Sequence, residues 1–168
     1  MTFFRPTAHR AVPRWAVIAL ALPCLGACIA SHRGLVESEG GAGGPLEQVT
    51  LCTPEGREFT LRSAEEMDIL RALDGCTLDV SGPVVAGSMV VRDWRVLDAG
   101  DGSAPYLGLL RQHGSNLVID DRNSGMPLVL DEPSAARLGQ HTGGVVMISG
   151  YVIGAQLLHV VTFRILVD

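Results

Sequence analysis

Residues 145–153, Val-Val-Met-Ile-Ser-Gly-Tyr-Val-Ile, and residues 157–166, Leu-Leu-His-Val-Val-Thr-Phe-Arg-Ile-Leu, decide the fold class of this chain. Both segments are rich in the β-branched and aromatic residues that strands favour, and only Gly154, Ala155 and Gln156 separate them. This pattern predicts a tight β-hairpin close to the end of the sequence.

The second strand of this hairpin is predicted to have one apolar face, because alternate residues of a strand point to the same side. The predicted apolar face holds Leu157, Val161, Phe163 and Ile165, and the opposite face holds Val160, Thr162 and Arg164. His159 falls on the apolar face, where we expect a hydrogen-bonded core histidine rather than a zinc ligand or an acid–base group.

Five apolar runs precede the hairpin and are separated by turn clusters rich in Gly, Asp, Asn and Ser. The runs are Leu78–Val85, Ser88–Leu97, Ala104–Leu110, Asn116–Ile119 and Met126–Leu130. A short helix is predicted over Glu132–Gly139, which has Pro near its start and Gly at its end. The region from residue 77 onwards is therefore predicted to be mostly β.

This order of strands, short helix and hairpin resembles the OB-fold, a five-stranded Greek-key barrel with a helix between its third and fourth strands. The resemblance covers about Leu78–Asp168 and depends on the order of elements alone. It implies a barrel domain over residues 77–168. An immunoglobulin-like β-sandwich is the alternative.

Residues 49–76 are predicted to form a hairpin and a helix that precede the barrel. Two short strands flank the turn at Pro54-Glu-Gly56, and Ser63 with Glu66 forms a capping-box pattern at the start of the helix. We expect a disulfide between Cys52 and Cys76 that closes this segment. The N-terminus predicts export, and exported proteins fold in an oxidising compartment. Two buried free cysteines are the alternative.

Export is predicted from the N-terminus, where Arg5, Arg10 and Arg14 precede an apolar run that is too short to span a membrane. Leu25-Gly26-Ala27-Cys28 resembles the lipobox of bacterial lipoproteins. The resemblance implies that residues 1–27 are a signal peptide and that Cys28 carries a diacylglycerol and palmitate-type chains. Ile29 replaces the Asp that retains many such proteins at the inner membrane, which favours the outer membrane. An ordinary secretory signal is the alternative.

A flexible linker is predicted over residues 28–48, since Gly34, Gly40, Gly41, Gly43, Gly44 and Pro45 fall there without apolar periodicity. Such a linker would let the domain clear the lipid headgroups. The complete domain prediction is a signal over 1–27, the lipidated cysteine and linker over 28–48, the hairpin and helix over 49–76, and the barrel over 77–168.

The charge composition argues against nucleic-acid binding. The chain has no lysine, and it contains 13 arginines and 18 acidic residues. Binding to a phosphate backbone depends on Lys and Arg, and single-strand binding also uses stacked aromatic side chains. Trp94, Tyr106, Arg92 and Arg95 are the candidate ligand or partner surface, although a core position is the more common one for Trp.

No catalytic motif is recognisable, so we expect no enzyme activity, no cofactor and no metal. Asp98, Asp101, Asp120 and Asp121 could form a calcium site only if their loops met, and Asp beside Gly is common in turns. Three functions are considered. The first is a non-enzymatic adaptor for other envelope proteins, the second is a small-ligand or sugar-binding module, and the third is a hydrolase with an unrecognised site.

Overall fold

The computed structural model describes residues 30–39 and 48–168. The predicted signal peptide, the lipidation site Cys28 and residues 40–47 of the predicted linker lie outside the described residues. Within the described part, no helix is long and apolar enough to cross a membrane.

The fold is mostly β, as predicted, and consists of a seven-stranded sheet and a closed five-stranded barrel. The sheet is formed by β1 (Ala30–Glu39), β2 (Gln48–Cys52), β3 (Glu58–Arg62), β4 (Thr77–Gly82), β5 (Val84–Val85), β6 (Ser88–Val90) and β7 (Asp93–Asp98), with helix α1 (Met67–Ala72) between β3 and β4. The barrel is formed by β8 (Tyr106–His113), β9 (Asn116–Asp121), β10 (Pro127–Leu130), β11 (Val145–Ile153) and β12 (Leu157–Val167). Helix α2 (Glu132–Leu138) and a 3₁₀ turn (Gly139–His141) lie between β10 and β11.

The barrel has the strand order β10-β12-β11-β8-β9, with α2 between its third and fourth strands. The five strands and the position of the helix match the sequence prediction, but the boundary does not. The barrel begins at Tyr106, whereas Leu78–Leu97 belongs to the preceding sheet, so the prediction of a barrel over 77–168 was wrong.

The predicted linker is also wrong where the structure describes it, because Ala30–Glu39 is a strand in the middle of the sheet. β1 pairs antiparallel with β2 on one side and with β4 on the other. Val36 and Gly34 point into the core, and the alternate residues face solvent. A Cβ atom at Gly34 would lie 2.6 Å from the carbonyl oxygen of Cys52, so this glycine permits close strand packing rather than flexibility.

This strand explains why the predicted disulfide is absent. Leu35 pairs with Cys52 on one side and with Thr77, the neighbour of Cys76, on the other. Two strand spacings separate the cysteines, roughly 10 Å, which exceeds the Cα separation that a disulfide can bridge. Both cysteines are free, with Cys52 half-buried and Cys76 buried.

Both units begin with three strands, a helix and a fourth strand, and they share part of their pairing pattern. In each, the first strand pairs antiparallel with the second and fourth, and the third pairs parallel with a strand that follows the fourth, which is β6 in the sheet and β12 in the barrel. The sheet curls on itself because the backbone N–H of Val91 donates to Arg62 and that of Arg92 donates to Ser81. The hairpin-and-helix segment is therefore an integral part of this N-terminal unit (residues 30–98).

The two units share buried surface. The side chains of Leu107 and Met147 project from the outer wall of the barrel and pack in the core of the N-terminal unit. This core also contains Leu51, Leu78 and Trp94. The barrel interior has its own core, in which α2 contributes the buried Leu138. The barrel is thus docked on the N-terminal unit through an apolar contact.

Candidate binding face

Four apolar side chains form a row across the outer face of the barrel. The register aligns Val118 of β9 with Val129 of β10, Val129 with Leu157 of β12, and Leu157 with Ile153 of β11. We call Val118, Val129, Leu157 and Ile153 the apolar row. Their neighbours along the strands point inward, so these four side chains point away from the barrel core.

The exposure of this row is not uniform. Ile153 is 47% exposed and Leu157 is 38% exposed, whereas Val118 is nearly covered. Tyr151 lies on the same face as Ile153 and is more than half exposed. Exposed apolar side chains that lie together beside polar residues, as Ile153, Leu157 and Tyr151 do, are typical of surfaces that bind another molecule.

A groove of about 480 Å³ runs along β9 and β10 beside the apolar row. Val118, Val129 and Pro127 supply its apolar surface. The polar residues around them are Arg111, Gln112, His113, Asp120 and Gln156. The groove therefore combines apolar contact area with hydrogen-bonding groups.

An ion pair lies on the polar side of this groove. The Nε atom of Arg111 is 2.8 Å from Oδ2 of Asp120, and both side chains are well exposed. A pair in this position contributes little to stability, about 0–1 kcal/mol. Its charged groups remain able to exchange partners when a ligand enters the groove.

A histidine–carboxylate pair adjoins the apolar row. The Nδ1 atom of His159 is 2.5 Å from Oδ2 of Asp131, and the His159 ring lies 5.0 Å from the Tyr151 ring. Oδ1 of Asp131 accepts the backbone N–H of Ser134, which caps α2. Hydrogen bonds from Ser134, and then the contact with His159, hold the pKa of Asp131 below its usual range.

The hydroxyl group next to this pair belongs to Ser134 and is already engaged. Ser134 is buried, and its Oγ accepts the backbone N–H of Val160. The pair therefore fastens the start of α2 to β12. His159 is hydrogen-bonded as predicted, but it lies on the outer side of the barrel instead of in the core.

The expectation for the faces of β12 was wrong because a β-bulge changes their alternation. The register shifts between Ser149 and Gly150, which leaves Val161 as an extra residue on β12. Before the bulge, Leu158 and Val160 point inward; after it, Phe163 and Ile165 pack against the barrel core. Leu157 and His159 are therefore on the outside. The adjacent apolar pairs Leu157-Leu158 and Val160-Val161 were the sequence signal for a strand that is apolar on both faces.

The structure does not bring the predicted surface residues together. Trp94 is only 3% exposed and packs in the N-terminal core, where its Nε1 donates to Oε2 of Glu66 at 2.6 Å. Tyr106 is half-buried against the barrel core. Arg92 is exposed, and Arg95 is exposed and paired with Asp79. Trp94 therefore has the core position that is more common for Trp and is not part of a surface, because alternation along β7 turns it inward.

Glu66 was predicted to complete a capping box, but its carboxylate has other partners. The Oγ of Ser63 accepts the backbone N–H of Glu66 at 3.1 Å, which is half of the predicted motif. The Glu66 side chain instead binds Trp94 and Nη1 of Arg122, the latter at 2.7 Å. Arg122 and its role in joining the units were missed, since nothing local in the sequence links residue 122 to residue 66.

The four aspartates considered for calcium are each engaged locally. Asp98 accepts the N–H groups of Gly100 and Gly102, Asp101 accepts Ser103, and Asp120 pairs with Arg111. Asp121 is buried and accepts Leu107 and Ser124. Within residues 30–39 and 48–168, no three His, Cys, Asp or Glu side chains are grouped so as to hold a metal ion.

No family model matches the chain, and no curated protein matches its sequence significantly.

Proposed function

We propose that this protein is a lipid-anchored, non-enzymatic lipoprotein of the bacterial outer membrane that acts as an adaptor in an envelope assembly, such as a secretion, adhesion or surface-motility apparatus. The apolar row and the adjoining groove are its proposed binding face. The observation that carries this proposal is the alignment of four outward-facing apolar side chains across four strands of one barrel.

We further propose that both units have OB-type topology. The part of the pairing pattern that they share supports this, because the helix follows the third strand and the third strand pairs parallel with a strand that follows the fourth. OB-folds commonly bind ligands on the face of strands two and three and on the loops that join strands one to two and four to five. In the barrel these strands are β9 and β10, and the second loop contains Gln156.

The chemistry of the groove favours a protein segment over a nucleic acid or a sugar. None of the residues that line the groove is Phe, Tyr or Trp, whereas bases need such side chains to stack on. Apolar floor residues with Gln and Arg around them suit a peptide that presents apolar side chains and backbone hydrogen-bonding groups. We therefore infer that the partner is another envelope protein.

The acyl anchor explains how an acidic protein would stay at the membrane. The part of the chain after the predicted signal peptide contains ten arginines and 18 carboxylates, which gives a formal charge of −8. This negative charge disfavours adhesion to anionic lipid by charge alone. Two or three acyl chains supply stable attachment, because each buried methylene contributes about 0.8 kcal/mol.

A small-molecule module is the second candidate, and the size of the groove favours it. A volume of about 480 Å³ is within the range of ligand pockets, roughly 300–1,000 Å³. In that case the groove would bind the ligand without a protein partner.

The test is photo-crosslinking in cells from a photoreactive residue at position 153 of the lipidated chain. A Leu157→Asp variant should abolish crosslinks to defined envelope proteins, because a charge would enter the apolar row. Leu35→Asp is the matched control, since Leu35 is 40% exposed and Leu157 38%, and Leu35 lies on the sheet of the N-terminal unit. Crosslinks that persist in Leu157→Asp would contradict the proposed face.

A second comparison addresses the anchor. The same crosslinking is carried out with Cys28→Ser, which removes the acylated thiol. Crosslinks that require Cys28 support a membrane-bound adaptor. If neither form gives a protein crosslink, the adaptor proposal fails and the groove is to be screened for small ligands.

A further inference from the structure

The first strand fixes where the proposed lipid anchor joins the domain. Ala30, the first described residue, pairs with Gly82 at the end of β4. Cys28 precedes Ala30 by two residues, which extend over at most about 7 Å. On the proposed lipidation at Cys28, the end of the sheet that contains Gly82 therefore lies next to the membrane, without a tether between them.

An exposed apolar hairpin follows Gly82. Val84 and Val85 form β5 and pair with β6, and the chain turns at Ala86 and Gly87, whose φ angles are +49° and +80°. Val85 is 67% exposed, more than any other large apolar side chain in the described part, and Val84 is 40% exposed. Since Val84 follows Gly82 by two residues, its Cα lies within about 7 Å of that of Gly82.

Two arginines flank this hairpin. Arg62 pairs in register with Val90 of β6, and its Nε atom is 3.4 Å from the Oγ of Ser88. The backbone N–H of Arg92 donates to Ser81, the residue before Gly82. Both side chains are exposed. Apolar residues at a tip with guanidinium groups beside them match the layers of a lipid surface, with acyl chains below phosphates.

We infer that the β5–β6 hairpin is a second membrane contact, in which Val84 and Val85 enter the headgroup region and Arg62 and Arg92 bind lipid phosphates. The inference rests on the proposed lipidation of Cys28. The acyl chains hold the protein at the membrane, and the hairpin then acts at high local concentration and sets the orientation of the domain.

The test uses the lipidated full-length mature protein in vesicles of phosphatidylethanolamine and phosphatidylglycerol with brominated acyl chains. Val85→Trp places a fluorophore at the tip, and Val161→Trp places one on the barrel at another valine, which is 55% exposed and lies outside the apolar row. Trp94 is buried and common to both variants. We expect a blue shift and a loss of emission for the tryptophan at position 85 and neither change at position 161.

Adding Arg62→Gln and Arg92→Gln to Val85→Trp should reduce the quenching if the two guanidinium groups bind phosphate. Unquenched tryptophan at position 85 in protein whose lipid is confirmed by mass spectrometry would overturn the hairpin inference and leave the lipoprotein proposal standing. Mass spectrometry that finds Cys28 unmodified would overturn both. Circular dichroism of each variant checks that the fold is retained.

Discussion

The guanidinium carbon of Arg122 lies 4.3 Å from the centroid of the Trp94 ring, so a cation from the barrel covers an aromatic residue of the N-terminal unit. The same guanidinium binds both carboxylate oxygens of Glu66, and Glu66 in turn accepts the indole N–H. The three side chains satisfy one another at the junction of the two units. Breaking one contact therefore leaves the others partly unpaired.

Arg122→Ala is expected to lower the free energy of unfolding by about 2 kcal/mol, since hydrogen bonds to charged groups are lost and Glu66 and Trp94 lose a partner. Chemical denaturation followed by Trp94 fluorescence measures the change. Arg111→Ala is the control, because its ion pair with Asp120 is exposed, and it should change stability by no more than about 1 kcal/mol. Equal effects of the two substitutions would contradict the proposed role of Arg122.

Asp121→Ala is expected to destabilise the barrel by about 3 kcal/mol, because a buried carboxylate that accepts three hydrogen bonds is removed. Leu107 and Ser124 would then keep unpaired backbone N–H groups. Asp121→Asn retains one acceptor oxygen, so its stability should lie between that of wild type and that of Asp121→Ala. Asp120→Ala is the neighbouring control. Thermal unfolding of the four proteins tests this order, and a wild-type midpoint for Asp121→Ala would refute it.

Acid should weaken the attachment of α2 to β12. The pKa of Asp131 is lowered in the folded state by Ser134 and His159, so its ionised form stabilises the fold above the unfolded value of about 3.9. This stabilisation is lost as the pH falls through the lower folded pKa. Asp131→Asn should be less stable than wild type near neutral pH, and urea unfolding between pH 7 and pH 2.5 should show the difference narrowing in acid.

His159→Ala separates the two causes of this shift. It removes the imidazole but leaves the hydrogen bond from Ser134, so part of the dependence on pH should persist. A difference between wild type and Asp131→Asn that stays constant at all pH values would argue against an ionised Asp131 in the fold.

The thiols of Cys52 and Cys76 should both be alkylatable without reduction. Burial raises the pKa of each, and Glu37 raises that of Cys52 further, so we expect slow labelling at neutral pH. Cys52 is half-buried and should react first, whereas Cys76, whose Sγ is 3.6 Å from the Ala99 carbonyl oxygen, should react on unfolding. Mass spectrometry with and without reductant checks this, and a reductant-dependent mass would show that the cysteines pair.

Local patterns predicted the elements that local residues determine. The hairpin at residues 145–167, the hairpin of β2 and β3, and helix α2 were all visible in the sequence. In each case the partner is adjacent along the chain or the cap lies within three residues. Asp131, which caps α2, is one residue outside the predicted helix.

The sequence did not show β1, and most other errors followed from that. Its inward side carries only Val36 and Gly34 as buried residues, while Arg33, Glu37 and Glu39 lie on its solvent face together with the exposed Leu35. A strand with so little apolar signal resembles a glycine-rich linker. Its position between β2 and β4 is determined by residues up to about fifty positions away, which local periodicity cannot reveal. The apolar row was missed for a related reason, because the bulge in β12 reverses the faces.

On the proposed lipidation of Cys28, the position of β1 between two paired strands would also set an order of events in biogenesis. On the proposed lipidation, the enzymes that modify and cleave at Cys28 need an extended chain, yet the strand that starts two residues later is held by hydrogen bonds on both edges once the sheet forms. Maturation would therefore compete with folding for the same stretch of backbone. A polypeptide that folded too early would hide its own processing site, so slow completion of the first sheet would favour correct delivery.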